Sequence, residues 1–394
     1  MVLVYFAVAV VAAVAGVGTT ILVHAATTVS PQRVQPAAFP AVMNDGAVYH
    51  KVEPGVVDIS ANLQYLDETA EGTGFVIDAA DGLILTNNHV IDGATSVVVT
   101  PVTTGKGYEA TVVGYDLRDD IAVLRVQDAP RLKAVTTGDS ASLAVGSQVL
   151  ALGNEAGAGG PPTVAPGVIS SLGRSIVASD QSSGLTETLH GMLQTSADIR
   201  PGDSGGPLAN SAGQVVGIDT AAGSGGPGVS YAGYAIPIDS ALSIARQIAE
   251  GHHGAGIQLG MPAFLGVLLP DSSSSSPEEQ ADQQASQQNG TPANSGRSCL
   301  TGDANAFTAA PAAVAPAARG ALVDGVVCGT PAAEAGLEAG DVITGLDGHT
   351  VTSANSLSDI LGVARPGSRA ELRWVSIDGG THTAPVTLEV GPAG

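Results

Sequence analysis

The sequence predicts a mostly β protein: an all-β sandwich or barrel domain, then a small α+β module, behind an apolar N-terminal segment. Three observations carry this. From Val52 onward, short runs rich in β-branched residues ("GVVDIS", "GTGFVID", "GLILTNNHV", "SVVVTPV", "IAVLRV", "QVVGIDT") are broken by Gly, Asp and Asn, the texture of antiparallel strands joined by turns. A helical apolar spacing closes that stretch, in "IDSALSIARQIAEG". Beyond a Ser/Gln/Pro-rich interruption, "GALVDGVVCGTPAAEAGLEAGDVITGLDGHTV" mixes short strands with a small helix.

Taken in order, residues 1–23 carry no charge, and as a helix they would reach about 34 Å, enough to span the hydrocarbon core of a bilayer. A secretory signal would open on a basic region and hold a shorter apolar core. The segment therefore reads as an uncleaved transmembrane anchor, with a signal segment cleaved near "HAA" as the alternative. The missing basic flank suggests a start further upstream. Residues 24–45, rich in Pro, Thr and Ala, read as a linker. The β domain is expected over 46–251. Its closing helix starts at Ile238, repeats Leu242, Ala245, Ile248 and Ala249 at helical spacing, and ends at Gly251, a residue suited to a C-terminal cap. A connector, 252–260, leads to the second module at 261–394. Within it, residues 271–319 have too few large apolar side chains to build a core and read as a disordered insertion after the first strand. A helix is expected over Pro331–Ala335, with Asp-Gly turns at Asp347-Gly348 and Asp378-Gly379.

Composition bounds the partners. Fifteen Lys and Arg face 37 Asp and Glu, a formal charge of −22. Phosphate backbones are bound by neutralising Lys and Arg, so nucleic acid is excluded as a partner. The two cysteines, Cys299 and Cys328, lack neighbours at zinc-ligand spacing, so no metal and no cofactor is implied.

"PGDSGGPL", Pro201–Leu208, places Ser204 in a glycine-rich turn. A serine hydroxyl becomes a nucleophile only beside a neutral imidazole held by a carboxylate, with backbone N–H groups aimed at the developing oxyanion. His89 ends an apolar run in "LTNNHVIDG". Asp119 and Asp120 precede another in "DLRDDIAVLRV". Each alone reads equally well as a turn residue. Together they follow the His, Asp, Ser order of the chymotrypsin-like proteases, and their spacing fits a double β-barrel with the three residues in the cleft between barrels.

"GTGFVIDAADGLILTNNHVIDGA", "DDIAVLRV", "RPGDSGGPLANSAGQVVGI" and "GYAIPI" resemble the HtrA (Deg) family of trypsin-fold serine proteases. "FLGV" and "GTPAAEAGLEAGDVITGLDGHTV" resemble its C-terminal PDZ domain. The resemblance covers roughly 47–394 outside the insertion. The Val- and Ala-rich composition and the apolar N-terminus fit an actinobacterial, membrane-anchored member. The resemblance implies an extracytoplasmic endopeptidase acting on misfolded or PDZ-presented proteins. His89 would be the general base, Asp120 its orienting acid (Asp119 the alternative) and Ser204 the nucleophile. The oxyanion site would be the Gly202-Asp203-Ser204 turn. A latent or inactive protease-fold PDZ sensor or scaffold is the rival reading.

Two departures from the family stand out. Asp203 replaces the usual Asn, as in trypsin itself. Asp198, six residues before Ser204, stands where trypsin-like proteases carry a carboxylate selecting Arg or Lys, while Ser196 occupies the family's usual Asp position. Asp198 is therefore an S1 candidate. Arg200 is expected to pair with a carboxylate that the sequence does not identify. The resemblance assigns the PDZ carboxylate-binding loop to Phe264, Leu265, Gly266 and Val267, which would capture C-terminal peptides by strand addition. It also implies a possible homotrimer built on residues 40–55. Outside the cytoplasm a Cys299–Cys328 disulfide would pin the insertion.

Overall fold

The structure, a computed structural model, describes residues 43–393 apart from 65–67, 128–131, 158, 180–185, 221–232, 253, 255, 270–298, 300–310 and 312. The expected anchor and nearly all of the linker lie outside these residues. Among the described residues no helix is long and apolar enough to cross a membrane.

The chain enters on a helix the sequence reading did not foresee, α1 (Asp45–Val52). Asn44 caps it, its side chain accepting the Ala47 N–H at 3.1 Å. The helix buries Val48 and Val52, and the ammonium of Lys51 donates to the Ala212 carbonyl at 3.0 Å. The expected linker therefore stops short of residue 45, because two buried valines tie this turn to the folded body.

Six strands follow: β1 (Val56–Leu63), β2 (Glu68–Asp78), β3 (Leu83–Thr86), β4 (Ser96–Pro101), β5 (Tyr108–Asp116) and β6 (Ile121–Val126). They hydrogen-bond in the order β5-β4-β1-β2-β3-β6, and β6 pairs again with β5, so the sheet closes on itself. A second closed barrel is built from β7 (Gln148–Gly153), β8 (Thr163–Ser179), β9 (Thr186–Thr195), β10 (Pro207–Asn210), β11 (Val215–Thr220) and β12 (Gly233–Pro237). Closure leaves no ring strand with an open edge.

The predicted closing helix is α2 (Ile238–Ala249). Its buried face is Ile238, Ala241, Ile244, Ala245 and Ile248, with Leu242 half-buried and Ala249 exposed. The expected stripe is thus rotated toward Ile244, because the β-branched side chains are the ones that enter the core shared with Phe75, Leu150 and Ile218. Gly251, at φ +73°, ends the helix in the left-handed region.

β13 (Ile257–Leu259) then joins the first sheet beside β5. The second module follows as β14 (Ala263–Phe264), β15 (Val267–Leu268), β16 (Ala321–Leu322), β17 (Gly325–Val326), α3 (Pro331–Ala335), β18 (Val342–Leu346), β19 (His349–Thr350), α4 (Ala354–Val363), β20 (Arg369–Val375), β21 (Thr381–Thr387) and β22 (Glu389–Val390). The hairpin of β18 and β19 turns on Asp347 and Gly348, at φ +49° and +79°, the double positive φ of a tight two-residue turn.

The expected insertion ends earlier than residue 319. Ala315 is buried against Leu322 and Val342, and its N–H donates to the Gly340 carbonyl at 2.8 Å. The small apolar run Val314, Ala315, Ala317 suffices to cover one edge of the module. The remainder of 271–319 lies outside the described residues except Cys299, Pro311 and 313–319. Cys299 is disulfide-bonded to Cys328, just after β17.

Candidate active site

His89 and Asp120 stand at strand ends of the first barrel, after β3 and immediately before β6, while Ser204 precedes β10 of the second. Asp120 is 2% exposed and sits at φ +52°. That left-handed conformation is uncommon for a side chain other than Asn or Asp, and such strain collects at functional sites. It turns both carboxylate oxygens to His89: Oδ1 accepts the His89 backbone N–H at 2.9 Å, and Oδ2 faces Nδ1 at 2.8 Å. The Asp120 carbonyl accepts from Asn87 Nδ2 at 2.9 Å, and the Thr220 hydroxyl donates to Asn87 Oδ1 at 3.4 Å. These contacts set Asp120 rather than Asp119 beside the imidazole.

Ser204 is 6% exposed. The glycines around it do specific work: Gly202 and Gly205 adopt φ +97° and +85°, and a Cβ on Gly205 would fall 2.1 Å from the Thr73 carbonyl oxygen. Thr73 of β2 holds the turn. Its N–H donates to the Ser204 carbonyl at 2.9 Å, its hydroxyl donates to the Gly202 carbonyl at 2.7 Å, and the same hydroxyl accepts the Asn154 N–H at 2.9 Å. The peptides on either side of the Asp203-Ser204 pair are thereby fixed from the first barrel. On the far side, Asp219 closes a reciprocal pair: Gly205 N–H to Asp219 O and Asp219 N–H to Gly206 O, each 2.8 Å.

Two carboxyl groups back the turn. Asp203 is buried and accepts the Arg200 N–H at 2.9 Å. Burial raises it above the ordinary carboxylate range. Asp219 is fully buried, and among the described residues neither of its carboxyl oxygens has a hydrogen-bond partner. Burial, then the charge of Asp203, raises it well above that range.

Asp198 is exposed, and its carboxylate is committed to Arg200, whose Nε lies at 3.0 Å and Nη2 at 2.6 Å. The other guanidinium nitrogen of Arg200 binds Glu155. The partners the sequence left unidentified are therefore these two acids. In the second module, Leu265 is buried and Gly266 sits at φ +86°, where a Cβ would fall 2.0 Å from the Thr330 hydroxyl. β15 pairs with β17 on one edge only among the described residues. No cluster of three or more His, Cys, Asp or Glu suited to a metal occurs among them.

Sequence reasoning missed Asn87, Thr73 and Asp219. Asn87 lies two residues before His89 in "TNNHV", which is its only local signal. Thr73 gains its role through contacts across the two barrels, and Asp219 through its pairing with the Gly205-Gly206 turn within the second.

The trypsin-like peptidase domain family matches residues 72–218, and the PDZ domain family matches 293–388. The periplasmic serine endoprotease DegP of Salmonella typhimurium is 34% identical over 304 residues, 77% of this chain and 54% of the relative. The periplasmic pH-dependent serine endoprotease DegQ of Escherichia coli is 31% identical over 302 residues, 76% of this chain and 55% of the relative. A solved structure of the HtrA-type protease AlgW with tripeptide is 29% identical, covering 88% of this chain and 96% of its own, with a TM-score of 0.46. The chain spans about half the length of the curated relatives it matches. The chain thus carries a trypsin-like peptidase domain followed by a PDZ domain, and over about three quarters of its length it is similar to the DegP and DegQ serine endoproteases.

Proposed function

We propose that this chain is an extracytoplasmic serine endopeptidase working through Ser204, His89 and Asp120. The observation that carries the reading is the double contact of Asp120 with His89. With Nδ1–H donated to Asp120, the other ring nitrogen is left as the base. It takes the Ser204 proton as the oxygen attacks the scissile carbonyl carbon. The backbone N–H groups of Gly202 and Ser204 receive the oxyanion. The protonated imidazole then gives its proton to the leaving amine, and water hydrolyses the acyl-enzyme by the same route. Asp120 stays ionised throughout.

The periplasmic names of the relatives support an extracytoplasmic site, and residues 1–23 would supply the membrane anchor. In the second module, the edge of β15 that is unpaired among the described residues and the loop Phe264–Val267 would take up the C-terminus of a protein as an added strand. A homotrimer built on residues 40–55 would have to use the outward residues of α1, since Val48 and Val52 face inward. The pairing of Asp198 with Arg200 counts against its acting as a free selector of basic P1 residues, and we assign it instead to a clamp on the turn before Ser204.

The test is labelling of the full chain with a fluorophosphonate probe. Labelling of the wild type that vanishes in Ser204→Ala and in His89→Ala is the expected result. A folded wild type that takes no label would favour the latent sensor or scaffold.

A further inference from the structure

Beside Thr73, which holds the Ser204 turn, strands of the first barrel and the loop after β7 line an acidic cavity of about 270 Å³ that includes Asp58, Ser60, Glu71, Thr100 and Asn154 and, among the described residues, no Lys, Arg or His. Sheet register explains its position. Asp58 of β1 lies directly opposite Thr73 of β2 and Thr100 of β4, and Ser60 lies opposite Glu71. Directly paired residues share a face, so these side chains form two adjacent rows. Thr73 is the residue that holds the Ser204 and Gly202 carbonyls, and Asn154 is fastened to its hydroxyl. The rows thus run from the nucleophile's turn into the cavity.

The cavity is built for a cation. Asp58 is 8% exposed, and among the described residues its Oδ1 is buried with no hydrogen-bond partner. Such an oxygen is costly unless something donates to it. Its other oxygen faces the turn at Gly159, where an added Cβ would lie 4.0 Å away. Glu71 completes the acidic pair, its Oε1 accepting the Ser60 hydroxyl at 2.9 Å. The lining also includes Gly157, Gly159 and Gly160, which have no side chain to fill the space. A lone guanidinium or ammonium entering there would meet two carboxylates and two hydroxyls.

We propose that this cavity is a substrate subsite for an arginine or lysine side chain, within about three residues of the scissile bond. The inference rests on the peptidase reading, because it takes the ligand to be the peptide lying across Ser204. It is separate from Asp198, which is tied to Arg200.

The test uses C-terminally amidated decapeptides of Ala, Val and Gly, in which one position at a time carries Arg or its uncharged isostere citrulline. Amidation removes the carboxylate the PDZ module would capture. Affinity is measured on the full-length Ser204→Ala chain, and kcat/KM on the wild type. At one position Arg is expected to exceed citrulline about tenfold or more. That ratio should fall below about threefold in Asp58→Asn and in Glu71→Gln and persist in Asp198→Asn. Each ratio is taken within one variant, so a partial folding loss cancels. An Arg advantage at no position, one that survives both cavity variants, or one lost only in Asp198→Asn would overturn the assignment. If the wild type cleaves none of the peptides, the peptidase reading is what fails, and the affinities still decide the cavity.

Discussion

Asp120 holds His89 by two contacts at once, one to the backbone N–H at 2.9 Å and one to ring Nδ1 at 2.8 Å. The first fixes where the residue is, the second fixes which nitrogen carries the proton. Asp120→Asn preserves the shape of this arrangement and removes the preference for the Nδ1–H tautomer. We expect kcat to fall by about 10⁴-fold, the scale seen when a triad carboxylate is neutralised, with a much smaller change in KM. A kcat within tenfold of wild type would remove Asp120 from the mechanism.

Thr73 touches no substrate in the proposed mechanism, yet its hydroxyl joins the Gly202 carbonyl to the Asn154 N–H. Thr73→Val keeps the volume and deletes both bonds. Leaving two buried groups without a partner costs about 1–3 kcal/mol, and the turn that presents the oxyanion donors loses its anchor. Steady-state kinetics should show kcat reduced roughly 10- to 100-fold with KM little altered. Thr73→Ser should restore most of the rate, which a purely steric role for Thr73 would not predict.

Asp58 is raised from 3.8 to about 6, by burial first and by the charge of Glu71 second. Glu71 is the titratable group facing it; Thr100 on β4 and Asn154 on the opposite loop carry no charge. A carboxyl whose folded value is raised stabilises the fold below its unfolded value, and that contribution is lost as the pH rises through about 6. Ionised Asp58 therefore works against folding at pH 8. Asp58→Asn should raise the thermal midpoint of the barrel domain at pH 8, by the equivalent of at most about 3 kcal/mol, and should gain far less at pH 4. Equal effects at both pH values would show that the carboxylate is not the cause.

Arg200 joins Asp198 to Glu155 beside the turn that carries Ser204. All three side chains are partly exposed, so the pairing is screened by salt. Arg200→Gln should leave the thermal midpoint nearly unchanged and lower the rate of fluorophosphonate labelling severalfold. Raising the salt concentration should narrow the gap between variant and wild type. A labelling rate unaffected by the substitution would show that the clamp does not support the turn.

The candidates His89, Asp120 and Ser204 were legible from their chain order and from the glycine-rich turn around Ser204. The barrel strands and α2 were legible because burial imposes its period on the side chains. Other features were not, and the causes differ. α1 is only two turns long and holds a glycine, so local propensity says little, and its stability comes from burying Val48 and Val52. Thr73 looks like any strand threonine; its partners lie 81 and 129 residues away. Arg200 announced a missing carboxylate, but Glu155 is 45 residues upstream. Asp58 reads as a solvent-facing strand position, and only the register with Thr73 and Thr100 reveals that its face is covered.

The bond from the Thr73 N–H to the Ser204 carbonyl also makes this amide proton a natural spectroscopic reporter. Its nitrogen belongs to one barrel and its acceptor to the proposed nucleophile's own residue. A chain labelled with ¹⁵N at threonine would register acylation, release or displacement of the turn as a shift of that single resonance. The state of the nucleophile could then be followed in time without a chromogenic substrate.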